Sequence, residues 1–195
     1  MSRRRFIFDP PERFVAGTIG EPGSRTFFLQ AREGRRVTSV ILEKTQVAVL
    51  AERLGSLLFE LDRRGITKPP EEPEPTDAAP LDEPLDEAFR AGALTLGWDG
   101  TNQRVLIEAR AMTDEDDEAA EEATESEAEQ LVEIADDDED GPDFLRVRIS
   151  ADAARSFVDR AISVVQAGRS PCPLCGAPLD PGGHICPRRN GHYVH

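Results

Sequence analysis

Runs of β-branched and aromatic residues alternate with polar ones along this chain, and twice such runs lead into apolar residues at helical spacing. Residues 13–19 read as a strand ended by the turn residues Glu21-Pro22-Gly23-Ser24, and residues 26–31 as the strand that returns. The polar stretch Arg32-Glu33-Gly34-Arg35-Arg36 turns the chain into residues 37–42, a third run rich in β-branched side chains. Val47, Leu50, Ala51, Leu54, Leu57, Leu58 and Leu61 then recur at three- and four-residue intervals, as one apolar stripe of a helix does. Gly65 is placed to end that helix, and Gly55 inside it costs about 1 kcal/mol relative to alanine.

The pattern recurs further on. Residues 94–98 form a strand, Asp99-Gly100 gives a hairpin signal, and residues 104–110 return. Residues 144–149 alternate Leu145, Val147 and Ile149 onto one face. Ser150 is a good helix N-cap, Asp152 suits the helix dipole, and Ala154, Phe157, Val158, Ala161, Ile162 and Val165 make the stripe that Gly168 stops. Short strings recur too: Ala16-Gly17 leads to Gln30-Ala31-Arg32, and Ala91-Gly92 leads to Glu108-Ala109-Arg110. Two strand–strand–strand–helix units related by internal duplication predict an α+β fold, an antiparallel sheet with two helices on one face. The expected divisions are a first unit at 1–68, a Pro/acid-rich linker at 69–90, a second unit at 91–170 and a cysteine-bearing tail at 171–195.

Charge changes this picture by its location. The formal charge is −15. Residues 1–68 carry 13 Lys/Arg against 8 Asp/Glu, residues 69–140 carry 3 against 26, and residues 141–195 carry 7 against 4. The acid is thus confined to the middle of a chain whose flanks are mildly basic. Residues 69–89 mix proline with acid, the composition of a stiff extended linker. The stretch inserted into the second unit at 113–142 is expected to be disordered, because its carboxylates repel and it has little to bury. Its end, Asp136 to Gly141, opens like an EF-hand calcium loop, but Val147 stands where the closing bidentate glutamate belongs. No apolar run approaches the roughly 20 residues of a membrane span, and Phe6-Ile7-Phe8 is too short for a signal peptide. A cytoplasmic protein with no membrane contact is the expectation.

All three cysteines and all three histidines lie in the tail. Cys172-Pro173-Leu174-Cys175-Gly176 is the C-P-x-C-G turn of a zinc knuckle, whose glycine allows a tight bend around thiolate ligands. Cys186 is a third ligand, and either His184 or His192 completes a closed Cys₃His shell, so a structural Zn²⁺ is expected. A redox C-x-x-C pair would sit at a helix start in a thioredoxin-like context, and three free thiols in a tail are the plainer alternative.

The strings FIFDPPERFVAGTIGEPGSRTFFLQAREG, ILEKTQVAVLAERL and CPLCGAPLDPGGHICPRRNG resemble an actinobacterial domain-of-unknown-function family, number 3090, whose members are known only as repeat or hypothetical proteins. The resemblance covers nearly the whole chain outside the acidic insertion. It implies Cys172, Cys175, His184 and Cys186 as the shared ligand set, and makes His192 the lesser choice. It supplies no activity. It places the family in a trio of uncharacterised proteins, the others resembling a histidine-type phosphatase and a kinase-like protein.

No G-x-S-x-G, Walker loop or H-E-x-x-H occurs, and Gly17, Gly20 and Gly23 read as hairpin glycines, so no catalytic residue is nominated. A binding or adaptor protein with an unidentified protein partner is the preferred reading. The alternative is a single-stranded nucleic-acid binder using Arg35, Arg36, Arg146, Arg148, Arg188 and Arg189 with exposed Phe27 or Phe28, autoinhibited by the acidic insertion. A further alternative is an enzyme acting in a phosphatase- and kinase-like pathway. Against the nucleic-acid reading, arginines in so charged a chain are ordinarily solvated.

Overall fold

A computed structural model describes residues 3–71, 76–113, 141–167 and Leu174. Seven strands and two helices follow in the order β1 (Arg5–Phe8), β2 (Arg13–Ile19), β3 (Thr26–Glu33), β4 (Arg36–Leu42), α1 (Lys44–Arg63), β5 (Glu87–Asp99), β6 (Arg104–Ala111), β7 (Phe144–Ile149) and α2 (Ala151–Gln166). The strands form one sheet in the order β1-β7-β6-β5-β4-β3-β2. β2-β3-β4 and β5-β6-β7 are antiparallel meanders, whereas β4–β5 and β1–β7 pair in parallel. The sheet is therefore mixed, which corrects the antiparallel expectation. The cause is the connection: α1 carries the chain back along β4, so β5 sets out in the same direction.

The two edge strands are consecutive in sequence, and this dictates the sheet's shape. A flat sheet of seven strands would hold its edges about 29 Å apart. The link from Phe8 to Arg13 reaches at most about 18 Å when fully extended. The sheet must curl, and β5 is where it bends. Its first part pairs with β4 through Glu87, Phe89 and Arg90, its later part with β6, and the register slips between Ala91 and Ala93. Gln46 of α1 donates from Nε2 to the carbonyls of Ala91 and Gly92, both at 3.1 Å, supplying donors where the ladder is interrupted. At the closed end Phe6 of β1 meets Phe89 of β5, with ring centroids 6.2 Å apart. There the Arg36 guanidinium lies 4.0 Å from the centre of the Phe8 ring.

Alternate residues of each strand point into a single core. Leu29, Val40, Ile107 and Val147 meet Leu54 of α1 and Phe157 of α2 there. The apolar stripe of α1 is buried as its spacing predicts, apart from half-buried Leu57, and the helix ends ahead of Gly65, whose φ of 69° is the left-handed conformation that glycine favours. Ser150 caps α2, accepting from the Ala153 amide at 3.2 Å. The buried face of α2 differs from the expected stripe, since Ile162 is exposed and Arg160 is buried in its place. Phe14 of β2 stacks on Phe157 with centroids 4.8 Å apart, which fixes that rotation. Strand β1 was not anticipated, and β5 runs from Glu87 where only 94–98 was expected. The β5–β6 turn is longer than a two-residue hairpin, and Asp99 Oδ1 accepts from the amides of Thr101 and Asn102, both at 3.0 Å.

Gly55 faces Val158 across the helix seam, and a Cβ there would lie 4.0 Å from Val158 Cγ1, ordinary contact. Gly55→Ala is therefore expected to stabilise the fold by about 0.5–1 kcal/mol, measured by urea unfolding. A destabilised variant would mean that the seam has no room for the methyl group.

Candidate functional site

The outer face of the sheet, opposite the helices, carries the most elaborate polar chemistry among the described residues. The Pro/acid-rich segment, expected as an extended linker, lies against this face over residues 76–86 as a strap. Arg13 on β2 donates from Nε to Asp77 Oδ2 at 2.6 Å and from Nη1 to Asp82 Oδ2 at 2.7 Å. It also donates to the carbonyls of Pro80 and Ala79, at 2.9 and 3.0 Å. Arg160 of α2 reaches the same strap, donating to Asp77 Oδ1 at 3.0 Å and to the Ala79 carbonyl at 2.8 Å. Its Nε donates to the Ala16 carbonyl at 2.7 Å, so the guanidinium also caps the edge strand β2.

Gln30 of β3, only 1 % exposed, fastens the strap's centre. Its amide oxygen accepts from the Asp82 N–H at 2.7 Å, and its Nε2 donates to the Asp82 carbonyl and to Ser39 Oγ, both at 3.0 Å. Leu81 presses onto Gly17, where an added Cβ would fall 2.6 Å from Leu81 Cδ2. The hydrogen bond from Arg13 holds the Asp77 carboxyl below the usual carboxylate range against the opposing effect of burial, and the same contact raises Arg13. Burial pushes Arg160 down, although Asp77 pulls the other way. With its donors engaged by internal acceptors, this junction fastens chain to chain.

A second polar cluster sits on the outer face of the other half. Glu108 of β6 is 0 % exposed and Arg146 of β7 is 3 % exposed. Arg146 Nε donates to Glu108 Oε2 at 2.7 Å, and Arg110 Nε to Oε1 at 2.6 Å. Charge pairs taken so far out of water hold only with their hydrogen bonds complete.

The arginines nominated from sequence meet different fates. Arg146 lies on the outer face as alternation predicts, but it is buried. Arg148 pairs with Asp9 at 3.1 Å, and Arg36 donates to the Ile7 carbonyl and to Glu33. Arg36 and Arg148 thus converge on the neighbouring residues Phe8 and Asp9. Arg35 is exposed in the β3–β4 turn. Phe27 and Phe28 are both buried, which corrects the expectation of exposed aromatics. The proposed ligands Cys172, Cys175, His184, Cys186 and His192, with Arg188, Arg189 and the acidic insertion from 114 to 140, lie outside the described residues. Among the described residues no group of three His, Cys, Asp or Glu side chains could hold a metal ion, and no helix is long and apolar enough to cross a membrane.

Sequence reading missed Arg13, Gln30 and Arg160. The available signal was a glutamine alternating with Phe28 on the same strand face and an arginine inside an apolar helix stripe. A hollow of about 360 Å³ opens between the helices, lined by Gly55, Leu58, Val158, Pro69 and Pro70 with Asp152 and Asp159 among its polar residues. Residues 6–186 match the family described as "Protein of unknown function (DUF3090)". No curated protein and no solved structure matches the chain.

The depressed Asp77 carboxyl makes the strap's contribution to stability complete above the ordinary carboxylate pKa of about 3.9, and lost as pH falls through the lower folded value. The stability difference between wild type and Asp77→Asn, read by urea unfolding, should be constant near neutrality and shrink below about pH 4. A difference independent of pH would show that the carboxylate charge does not hold the strap.

Proposed function

We propose that this chain, which belongs to that family of unknown function, is a cytosolic binding or adaptor protein that engages another protein and carries a structural zinc ion in its tail. Phe59 carries the reading of a protein partner. It stands on α1 one turn beyond Gly55 and is 70 % exposed. An aromatic ring left in water, one helical turn from a residue that lines the hollow, resembles the anchor positions of protein interfaces. Asp152 and Asp159 at the hollow are exposed, and Asp159 makes no ion pair among the described residues. The segment that fits is apolar with a flanking Lys or Arg. The nucleic-acid reading has less support, because the aromatics it needs are buried and Arg146 and Arg148 are engaged by Glu108 and Asp9.

Zinc would be held by Cys172, Cys175 and Cys186 with His184, an arrangement that closes the coordination shell and fixes the tail. The spacing of those ligands supports it, and so does the odd number of cysteines, which leaves no complete disulfide set.

Two experiments test these statements. With a photo-crosslinking phenylalanine analogue at position 59, irradiation in the native host should give a protein adduct that the same analogue at the exposed Arg35 position does not give. Equal adducts at both positions, or none at 59, would contradict the docking face. Metal analysis of the purified chain should find about one zinc per chain, and Cys172→Ser should lower both zinc content and melting temperature. A zinc-free wild-type chain with unchanged melting behaviour would remove the metal from the account.

A further inference from the structure

The two halves of the sheet bury equivalent pairs on their outer faces, yet the described strap covers only one. In the first half Gln30 stands directly opposite Ser39 across β3 and β4. In the second, Glu108 stands directly opposite Arg146 across β6 and β7. Gln30 and Glu108 hold the same place, on the middle strand of each meander and ahead of an Ala-Arg pair. Both are buried. What lies on Gln30 is the strap after α1, through the main chain of Asp82, with Leu81 on Gly17.

The strap's residues there are Ala79-Pro80-Leu81-Asp82, and the same four residues recur after α2 as Ala177-Pro178-Leu179-Asp180. We propose that the outer face of β5-β6-β7 is a docking site for the chain's own cysteine-bearing tail. Residues 177–180 would form a second strap there, with the main chain of Asp180 against Glu108 and Arg146. A buried carboxylate and guanidinium need a cover that brings hydrogen bonds, and main-chain N–H and C=O groups supply them, as Asp82 does for Gln30.

This placement gives the metal a reason. The first strap is tethered at both ends, by α1 and by β5. For the second, α2 fixes one end, and a metal clip enclosing the segment would offset its ordering entropy. Cys172 and Cys175 precede the repeated tetrapeptide and His184 and Cys186 follow it, so one ion bound by all four would clip the strap into a closed loop. That clause rests on the zinc reading above; the docking does not. The edge beside β7 is filled in a similar way, by β1, which runs parallel to it as β5 does to β4.

The test uses the full chain, ¹⁵N-labelled, with paramagnetic Co²⁺ in place of zinc. Amide signals of residues 106–109 and 145–148 should lose intensity several-fold more than those of residues 28–31. A thiolate–cobalt absorption band without that selective loss would overturn the proposal, including the case in which the acidic insertion is the cover. If no cobalt binds, the zinc reading fails by itself, and a nitroxide on Cys175 is then read at the same amides. Selective broadening at 106–109 and 145–148 would still support the docking, and its absence would overturn it.

Discussion

The hydrogen bonds between Gln30 and the main chain of Asp82 hold a cover on a sheet that could not otherwise present this surface to water. Gln30 and Ser39 are fully buried polar groups on the outer face, with Phe28 and Val15 buried beside them. Each hydrogen bond contributes about 1 kcal/mol net, but leaving such a group buried and unpaired costs about 1–3 kcal/mol, so the asymmetry favours a docked strap. Arg13 and Arg160 act in the same sense from the edge of the sheet and from the helix layer. One segment thereby joins the β2–β3 hairpin to α2, which lies far from it in sequence.

That outer surface exists because the sheet is curled, and the curl follows from connectivity. A short link between opposite edges bends the sheet at β5, where the ladder slips and Gln46 meets the freed carbonyls. The inner surface then encloses the apolar side chains with α1 and α2. The outer surface holds the polar pairs Gln30–Ser39 and Glu108–Arg146. On the helix layer Val49, Phe59 and Ile162 are exposed, and Phe59 stands one turn from Gly55, which lines the hollow.

Several local signals in the sequence correspond to local structure. The stripe from Val47 to Leu61, the Ser150 cap and the alternation of Leu145, Val147 and Ile149 all correspond to what the fold does with them. Strand β1 escaped because four residues ahead of a proline-containing link carry no period, and its pairing with β7 spans most of the chain. Proline and acid in residues 76–86 have the same composition whether the segment floats or docks; only Gln30, Arg13 and Arg160 decide. Arg146 was placed on the right face, yet its burial depends on what covers that face, which alternation does not encode. Arg160 inverts the hydrophobic reading of α2, because carbonyls of β2 and of the strap satisfy its guanidinium.

The central claim is that residues 76–86 belong to the folded body, held from Gln30. Native-state hydrogen exchange of the Asp82 amide measures this directly, since that N–H donates to the Gln30 side chain. The account predicts protection comparable to the amides of β3, and loss of that protection in Gln30→Leu while the β6 amides keep theirs. Exchange of the Asp82 amide at the rate of an unstructured proline-rich chain in the wild-type protein would contradict it.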